Sequence, residues 1–148
     1  MNFCILGAGA WGTALAQMLA SDGREVAIWA REEELVEEIN SSRTNSLFLP
    51  SAELSQNIRA TGDLAEMAAL DMLLVVTPAQ HMGSVLSAMP SHPRDLLLCS
   101  KGIEAGSGRL MNDVAREAAP QSAIAVLSGR MGFDLVVKCL RVRIPIMA

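Results

Sequence analysis

Asn2-Phe3-Cys4-Ile5-Leu6-Gly7-Ala8-Gly9-Ala10-Trp11-Gly12 is the stretch that decides the fold. A short apolar run ends in three glycines spaced G-x-G-x-x-G, and a helical pattern follows at once. Trp11, Leu15, Met18 and Leu19 recur at i, i+4, i+7 and i+8, the period of an amphipathic helix. The chain then returns to a second apolar run at Glu25–Trp29. Each glycine has a physical task in such a unit. Gly7 makes the tight turn, Gly9 lets the backbone approach a diphosphate, and Gly12 lets helix and strand pack closely. The free N–H groups and dipole of the helix then face an anion. A glycine-rich turn without a ligand is the plainer alternative. The flanking strand, the helix and the returning strand favour a dinucleotide site.

Outward from this unit, short apolar runs alternate with helix-period segments. The predicted strands are Asn2–Leu6, Glu25–Trp29, Ile58–Ala60, Met72–Thr77, Leu96–Cys99 and Ala123–Leu127. Most are near-continuous apolar runs, as parallel strands covered on both faces should be. Helical stripes fall between them at Leu35, Val36 and Ile39, and at Leu110, Met111, Val114 and Ala118. Asp63, three residues before Glu66, is placed to cap a short helix. Pro78 suits a strand exit or a first helical turn. Six strands with helical crossovers make an α/β fold, a doubly wound parallel sheet in the order 3-2-1-4-5-6. The segment Asn40–Asn57 lacks clear periodicity and reads as a long loop over one edge, of the kind that often carries function.

The 148 residues fit one domain, and 51% of them are apolar, enough for a core on both faces of a sheet. Aromatic residues supply only 3%, and the net charge is −4. Base stacking and general nucleic-acid binding are therefore disfavoured. Cys4, Cys99 and Cys139 are too widely spaced for a C-x-x-C motif and read as buried thiols of a cytoplasmic protein. Phe3–Ala20 carries no charge, but its glycines and the lack of a basic leader argue against a signal peptide or membrane span. His81 and His92 stand alone, so neither a metal site nor a triad is expected.

Two further positions carry chemistry. Arg31 follows the second strand where an NAD-selective site would place Asp or Glu, and a guanidinium suits a ribose 2′-phosphate. NADP(H) is therefore favoured, with NAD(H) as the alternative cofactor. A solvated arginine pairing with Glu32–Glu34 is the competing reading. The fourth and fifth strands lead into Thr77-Pro78-Ala79-Gln80 and Ser100-Lys101-Gly102-Ile103-Glu104. Ligands in such sheets bind beyond the carboxyl ends of the strands, so Lys101 falls where cofactor and substrate should meet. From the residues alone, an ordinary surface lysine remains the competing reading.

Gly7–Ala16, Trp29-Ala30-Arg31, Asn45-Ser-Leu-Phe-Leu-Pro50, Thr61-Gly-Asp-Leu64, Ser100–Glu104 and Leu127-Ser-Gly129 occur in this order across residues 1–129. In this the chain resembles the dinucleotide-binding, Rossmann-type half of bacterial NAD(P)-dependent glycerol-3-phosphate dehydrogenases. The resemblance implies reversible hydride transfer between NAD(P)H and dihydroxyacetone phosphate, giving sn-glycerol 3-phosphate for phospholipid synthesis. It also implies that Ala10 and Trp11 contact the cofactor diphosphate and Arg31 the adenosine end. Lys101 would touch cofactor and substrate, and Gly129 would begin the substrate-binding loop.

The resemblance breaks after Gly129. The family continues with Pro, a small hydroxyl residue, Phe and Ala, where this chain has Arg130-Met131-Gly132-Phe133. Residues 130–148 hold Arg130, Lys138, Arg141 and Arg143 against Asp134 alone, a charge of +3 that leaves −7 for residues 1–129. Leu140–Ile144 alternates with period two, as an edge strand would. A frameshifted or truncated end is the simplest account, without the helical second domain that carries the family's general acid/base lysine and phosphate grip. Two functions follow as expectations. One is a cofactor-binding portion of the dehydrogenase with no catalytic residue of its own. The other is a non-catalytic nucleotide-binding or assembly module, with self-association into a homo-oligomer through apolar surface that a second domain would cover.

Overall fold

A computed structural model of the chain describes residues 3–93, 95–100 and 102–127. Among these residues six strands alternate with five helices. They are β1 (Phe3–Leu6), α1 (Ala10–Ala20), β2 (Val26–Trp29), α2 (Glu33–Ser42), β3 (Ile58–Thr61), α3 (Leu64–Ala68), β4 (Met72–Val75), α4 (Ala79–Ala88), β5 (Asp95–Leu98), α5 (Met111–Ala118) and β6 (Ala123–Val126). All pair in parallel, in the order β3-β2-β1-β4-β5-β6, as the sequence predicts. The expected strands fall within two residues of the observed ones. The order reverses between β1 and β4, and that switch point locates the site.

The register alternates side chains between two apolar layers. Phe3 and Ile5 of β1, Val26 and Ile28 of β2, and Ile58 and Ala60 of β3 pack with Leu15, Ala16, Leu19, Leu35 and Ile39 of α1 and α2. Cys4, Leu6, Leu73, Val75, Leu96 and Leu98 face the other way, against Met67, Met82, Leu86 and Val114 of α3, α4 and α5. Burial on both faces explains why β1 and β2 are apolar throughout. The β6 residues are exposed or half-buried. Among the described residues β6 forms the sheet's outer edge. The uncharged stretch Phe3–Ala20 is strand, turn and helix. Among the described residues no helix is long and apolar enough to cross a membrane.

Two helical stripes need correction. Trp11 is 45% exposed, and the buried face of α1 is Gly12, Leu15, Ala16 and Leu19. Gly12 must lie against the sheet, so its neighbour Trp11 is rotated about 100° away from it. Leu110 is 56% exposed and stands at the N-cap of α5, outside the helix whose face it was expected to join.

Asp63 caps α3 as predicted, its Oδ1 accepting from the Ala65 N–H at 2.8 Å. The reciprocal half of a capping box does not form. The Asp63 N–H donates to Thr61 Oγ1, whose hydroxyl donates to Glu66 Oε1, while Glu66 also pairs with Arg59. Pro78 is the N-cap of α4. Cys4 and Cys99 are buried free thiols. Burial, aided by the Asp71 carboxylate, pushes the Cys4 thiol up to about 12, so it stays protonated and unreactive. Cys139, Lys101, Gly129 and the whole of residues 130–148, including the expected edge strand, lie outside the described residues.

The predicted loop 40–57 is shorter and more ordered than its composition suggests. Helix α2 runs on to Ser42 and ends on Arg43 in the left-handed region at φ 57°. Arg43 Nη1 donates to the Ile58 carbonyl, and the Arg43 carbonyl accepts from the Leu54 N–H. The Glu38 carboxylate gathers the Ser46 N–H and the Thr44 and Ser46 hydroxyls. Those bonds hold its pKa below the ordinary glutamate value, with the Ser46 N–H the largest cause.

Candidate dinucleotide site

The glycine loop is wedged between the carboxyl ends of β2 and β4. The Gly7 N–H donates to the Trp29 carbonyl at 3.2 Å, and the Val76 N–H donates to the Leu6 carbonyl at 3.0 Å. Gly7 has φ +122°, a region that disfavours side chains, and a Cβ there would stand 3.1 Å from the Thr77 nitrogen. At Gly12 the constraint is harder. A Cβ would lie 1.9 Å from the Gly7 carbonyl oxygen, so only glycine lets α1 start this close to β1.

Gly9 is different in kind. Among the described residues, a Cβ on it would meet nothing within 4 Å. This glycine is not required by the protein's own packing. It is the N-cap of α1, and no side chain caps the helix there. The first N–H groups of a helix have no partner within it, so those at Ala10, Trp11 and Gly12 remain as donors around an open space. Nearby, the Thr77 hydroxyl is buried without a hydrogen-bond partner among the described residues. Uncapped donors, an orphaned hydroxyl and room over Gly9 together fit a bound diphosphate.

The ends of β4 and β5 are tied together beside this loop. Buried Ser100 sets its hydroxyl 2.5 Å from the Thr77 carbonyl and 3.3 Å from that of Val75. Beyond Ser100, Gln80 holds the returning loop from both sides. Its Nε2 donates to the Ile103 carbonyl, and its Oε1 accepts from the Ala105 N–H at 2.6 Å. The structure thus brings the Thr77 and Ser100 exits together, while Lys101 itself falls outside the described residues.

Arg31 stands exposed just past β2, whose carboxyl end meets the glycine loop. Among the described residues it forms no ion pair, so the alternative pairing with Glu32–Glu34 is not seen. The two histidines play no part in the loop. His81 is exposed in the first turn of α4, and the His92 ring lies 2.8 Å from the Leu86 carbonyl. A separate cavity of about 360 Å³ opens at the other end of the strands, where Phe3, Val26 and Ile58 begin. It lies away from the switch point and the glycine loop.

Residues 2–131 match the family model described as "NAD-dependent glycerol-3-phosphate dehydrogenase N-terminus". The chain belongs to this family. The glycerol-3-phosphate dehydrogenase [NAD(P)+] of Erythrobacter litoralis is 64% identical over 128 residues, covering 86% of this chain and 39% of the relative. That of Novosphingobium aromaticivorans is 66% identical over 125 residues, with 84% and 38% covered. Among solved structures, the glycerol-3-phosphate dehydrogenase of Coxiella burnetii superposes with TM-score 0.77 at 32% identity, over 86% of this chain and 40% of its own. The chain spans about two fifths of the length of the relatives it matches.

Two residues quoted in the sequence motifs gain a role only from the structure. Asn45 is wholly buried and reaches the glycine loop, and Gln80 anchors the loop after Ser100. Asn45 begins a family run and sits in a suspiciously long polar loop. Its partners, 32 and 37 residues earlier, leave no mark in the local pattern.

Proposed function

We propose that this chain is the cofactor-binding portion of a glycerol-3-phosphate dehydrogenase [NAD(P)+], with Gly7–Gly12 cradling the diphosphate of NADPH. The observation that carries this is the open space over Gly9 at the uncapped start of α1. Gly7 and Gly12 shape the turn. The backbone of Ala10 and Trp11 meets the diphosphate. Arg31 takes the 2′-phosphate, so NADPH binds more tightly than NADH. Lys101 meets both cofactor and substrate, and Gly129 begins the substrate loop. When bound, the cofactor supplies or accepts the hydride that interconverts dihydroxyacetone phosphate and sn-glycerol 3-phosphate in the cytoplasm. The protein's task is to hold the reactive carbon of the cofactor against that small phosphate substrate.

Residues 1–129 form the nucleotide domain in this reading, and residues 130–148 are a separate tail. The general acid/base lysine belongs to the part of the relatives that this chain does not match. This chain assayed by itself therefore holds cofactor and turns over negligibly. Fluorescence titration with NADPH and NADH, on the parent and on Arg31→Asp, tests the assignment. The expected result is that the variant loses NADPH affinity while NADH affinity holds or improves. Steady-state reduction of dihydroxyacetone phosphate at a normal dehydrogenase rate would refute the division of labour.

One observation favours a second reading, an assembly module. Trp11, Leu47, Phe48, Ile103 and Leu110 are exposed, and Trp11, Ile103 and Leu110 follow the carboxyl ends of β1 and β5. In this second reading that apolar surface is the interface. Light scattering that finds a homo-oligomer, with no binding of either nucleotide, would favour this role.

A further inference from the structure

We propose that Asn45 is a positioning residue for the dinucleotide loop, acting through the carbonyl of Ala8. The inference rests on the reading of Gly7–Gly12 as a diphosphate site. Ala8 lies between Gly7 at φ +122° and Gly9 in extended conformation, so no helix or sheet ladder holds its peptide. Yet Ala8 is only 5% exposed, and a buried carbonyl needs a donor. Two side chains supply it. Asn45 Nδ2 donates to the Ala8 carbonyl at 2.9 Å, and Thr13 Oγ1 donates to the same oxygen at 3.2 Å.

The three groups close into a triangle in which every proton is used once. The second Nδ2 proton goes to Thr13 Oγ1 at 2.8 Å, leaving the Thr13 hydroxyl proton for Ala8. Asn45 Oδ1 accepts from the Phe48 N–H at 3.1 Å, and this fixes which end of the amide faces the glycine loop. The Asn45 carbonyl accepts from the Leu49 N–H, so the residue is itself held in a turn. Glu38 clasps Thr44 and Ser46 on one side of that turn, and Gln17 Oε1 accepts from the Ser55 N–H further on.

The consequence follows from peptide geometry. A trans peptide is planar, with its C=O and the next N–H on opposite sides. Drawing the Ala8 carbonyl into the interior turns the Gly9 N–H the opposite way. That adds a donor to those of Ala10, Trp11 and Gly12 and sets it before any ligand arrives. Preorganised donors of this kind strengthen anion binding because no ordering cost is left at the moment of binding. The loop 43–57 is thus a brace, inserted from a distant part of the chain behind the anion-binding face.

The test uses the whole chain with Asn45→Ala and, should that variant fold poorly, Thr13→Val, which removes the other of the two donors to the same carbonyl and one of the two acceptors of Asn45 Nδ2 at nearly constant volume. Hydrogen exchange is measured at the bonded amides of the loop, those of Gly7 and Thr13, alongside titration with NADPH and with adenosine 2′-phosphate, which lacks the diphosphate. Exchange at the loop should quicken at least about tenfold while β3 and α5 keep their protection. NADPH affinity should fall about tenfold, and adenosine 2′-phosphate affinity should stay within about twofold. A merely structural role would weaken both ligands together or leave both unchanged, and either result overturns the proposal. Faster loop exchange in a chain whose parent binds no NADPH would sustain the brace and refute the cofactor reading. Unchanged exchange and unchanged NADPH binding would refute the brace alone.

Discussion

Replacing Gly12 with alanine adds a single methyl group at the tightest point of the domain. The new Cβ would stand 1.9 Å from the Gly7 carbonyl oxygen, 3.1 Å from the Gly7 carbonyl carbon and 3.4 Å from Ile5 Cγ2. Since such contacts hardly fall below 3.0 Å, α1 and the glycine turn must separate by about 1 Å or more. The turn has little freedom to give. Gly7 is bonded to Trp29, and Leu6 to Val76, so the end of β1 is held on both sides. The helix must lift instead, and with it Leu15, Ala16 and Leu19, which pack on Phe3, Ile5 and Val26. Overpacking against immobile backbone belongs at or above the upper end of the usual range, roughly 3 kcal/mol. Alanine regains up to about 1 kcal/mol of helix propensity, so the net loss is about 2–3 kcal/mol. For a domain of this size that lowers Tm by about 6–12 °C. Thermal unfolding followed by circular dichroism, on parent and variant at one pH, measures it. A variant that melts within about 2 °C of the parent would show that the close approach at Gly12 does not govern the fold.

Gly9→Ala is the counterpart. With open space at its Cβ and an ordinary φ of −67°, it should leave Tm unchanged within about 2 °C while NADPH affinity falls about tenfold or more, by titration. Equal loss of stability and binding would remove the distinction between the two glycines. Asp63→Ala should cost about 1 kcal/mol of stability, the usual effect of losing an N-cap, read by urea unfolding. Glu38 gives a pH dependence of known sign. Its carboxyl is held low in the folded state, chiefly by the Ser46 N–H, so the stabilisation is complete above the ordinary glutamate value of 4.5. It is lost as the pH falls from there through the lowered folded value. Glu38→Gln should therefore flatten the acid limb of the Tm–pH curve, and an unchanged acid limb would remove Glu38 from the account.

Much of the architecture is legible in one dimension because its causes are local. The six strands are short apolar runs, and the helices announce themselves by period. Gly7 and Gly12 are intelligible from the strand–turn–helix they interrupt. The misreadings also have local causes. Trp11 and Leu110 are large and apolar, so their spacing predicts buried stripes, yet each stands at a helix start beside residues that face the core. The loop 40–57 looked structureless because its order comes from polar contacts without period, centred on Glu38, Asn40 and Asn45.

Residue pattern alone suffices for the parallel strands, their order and the place of the glycine turn. Periodicity and backbone sterics act within a few residues, and a single chain records them directly. Only the tertiary structure distinguished the glycines, with Gly12 excluding any side chain and Gly9 leaving room for a partner outside the protein. It also revealed that the Ala8 peptide is set by an asparagine 37 residues later in the chain. A hydrogen bond of that span depends on how two separate segments pack, and neither segment carries a local trace of the other.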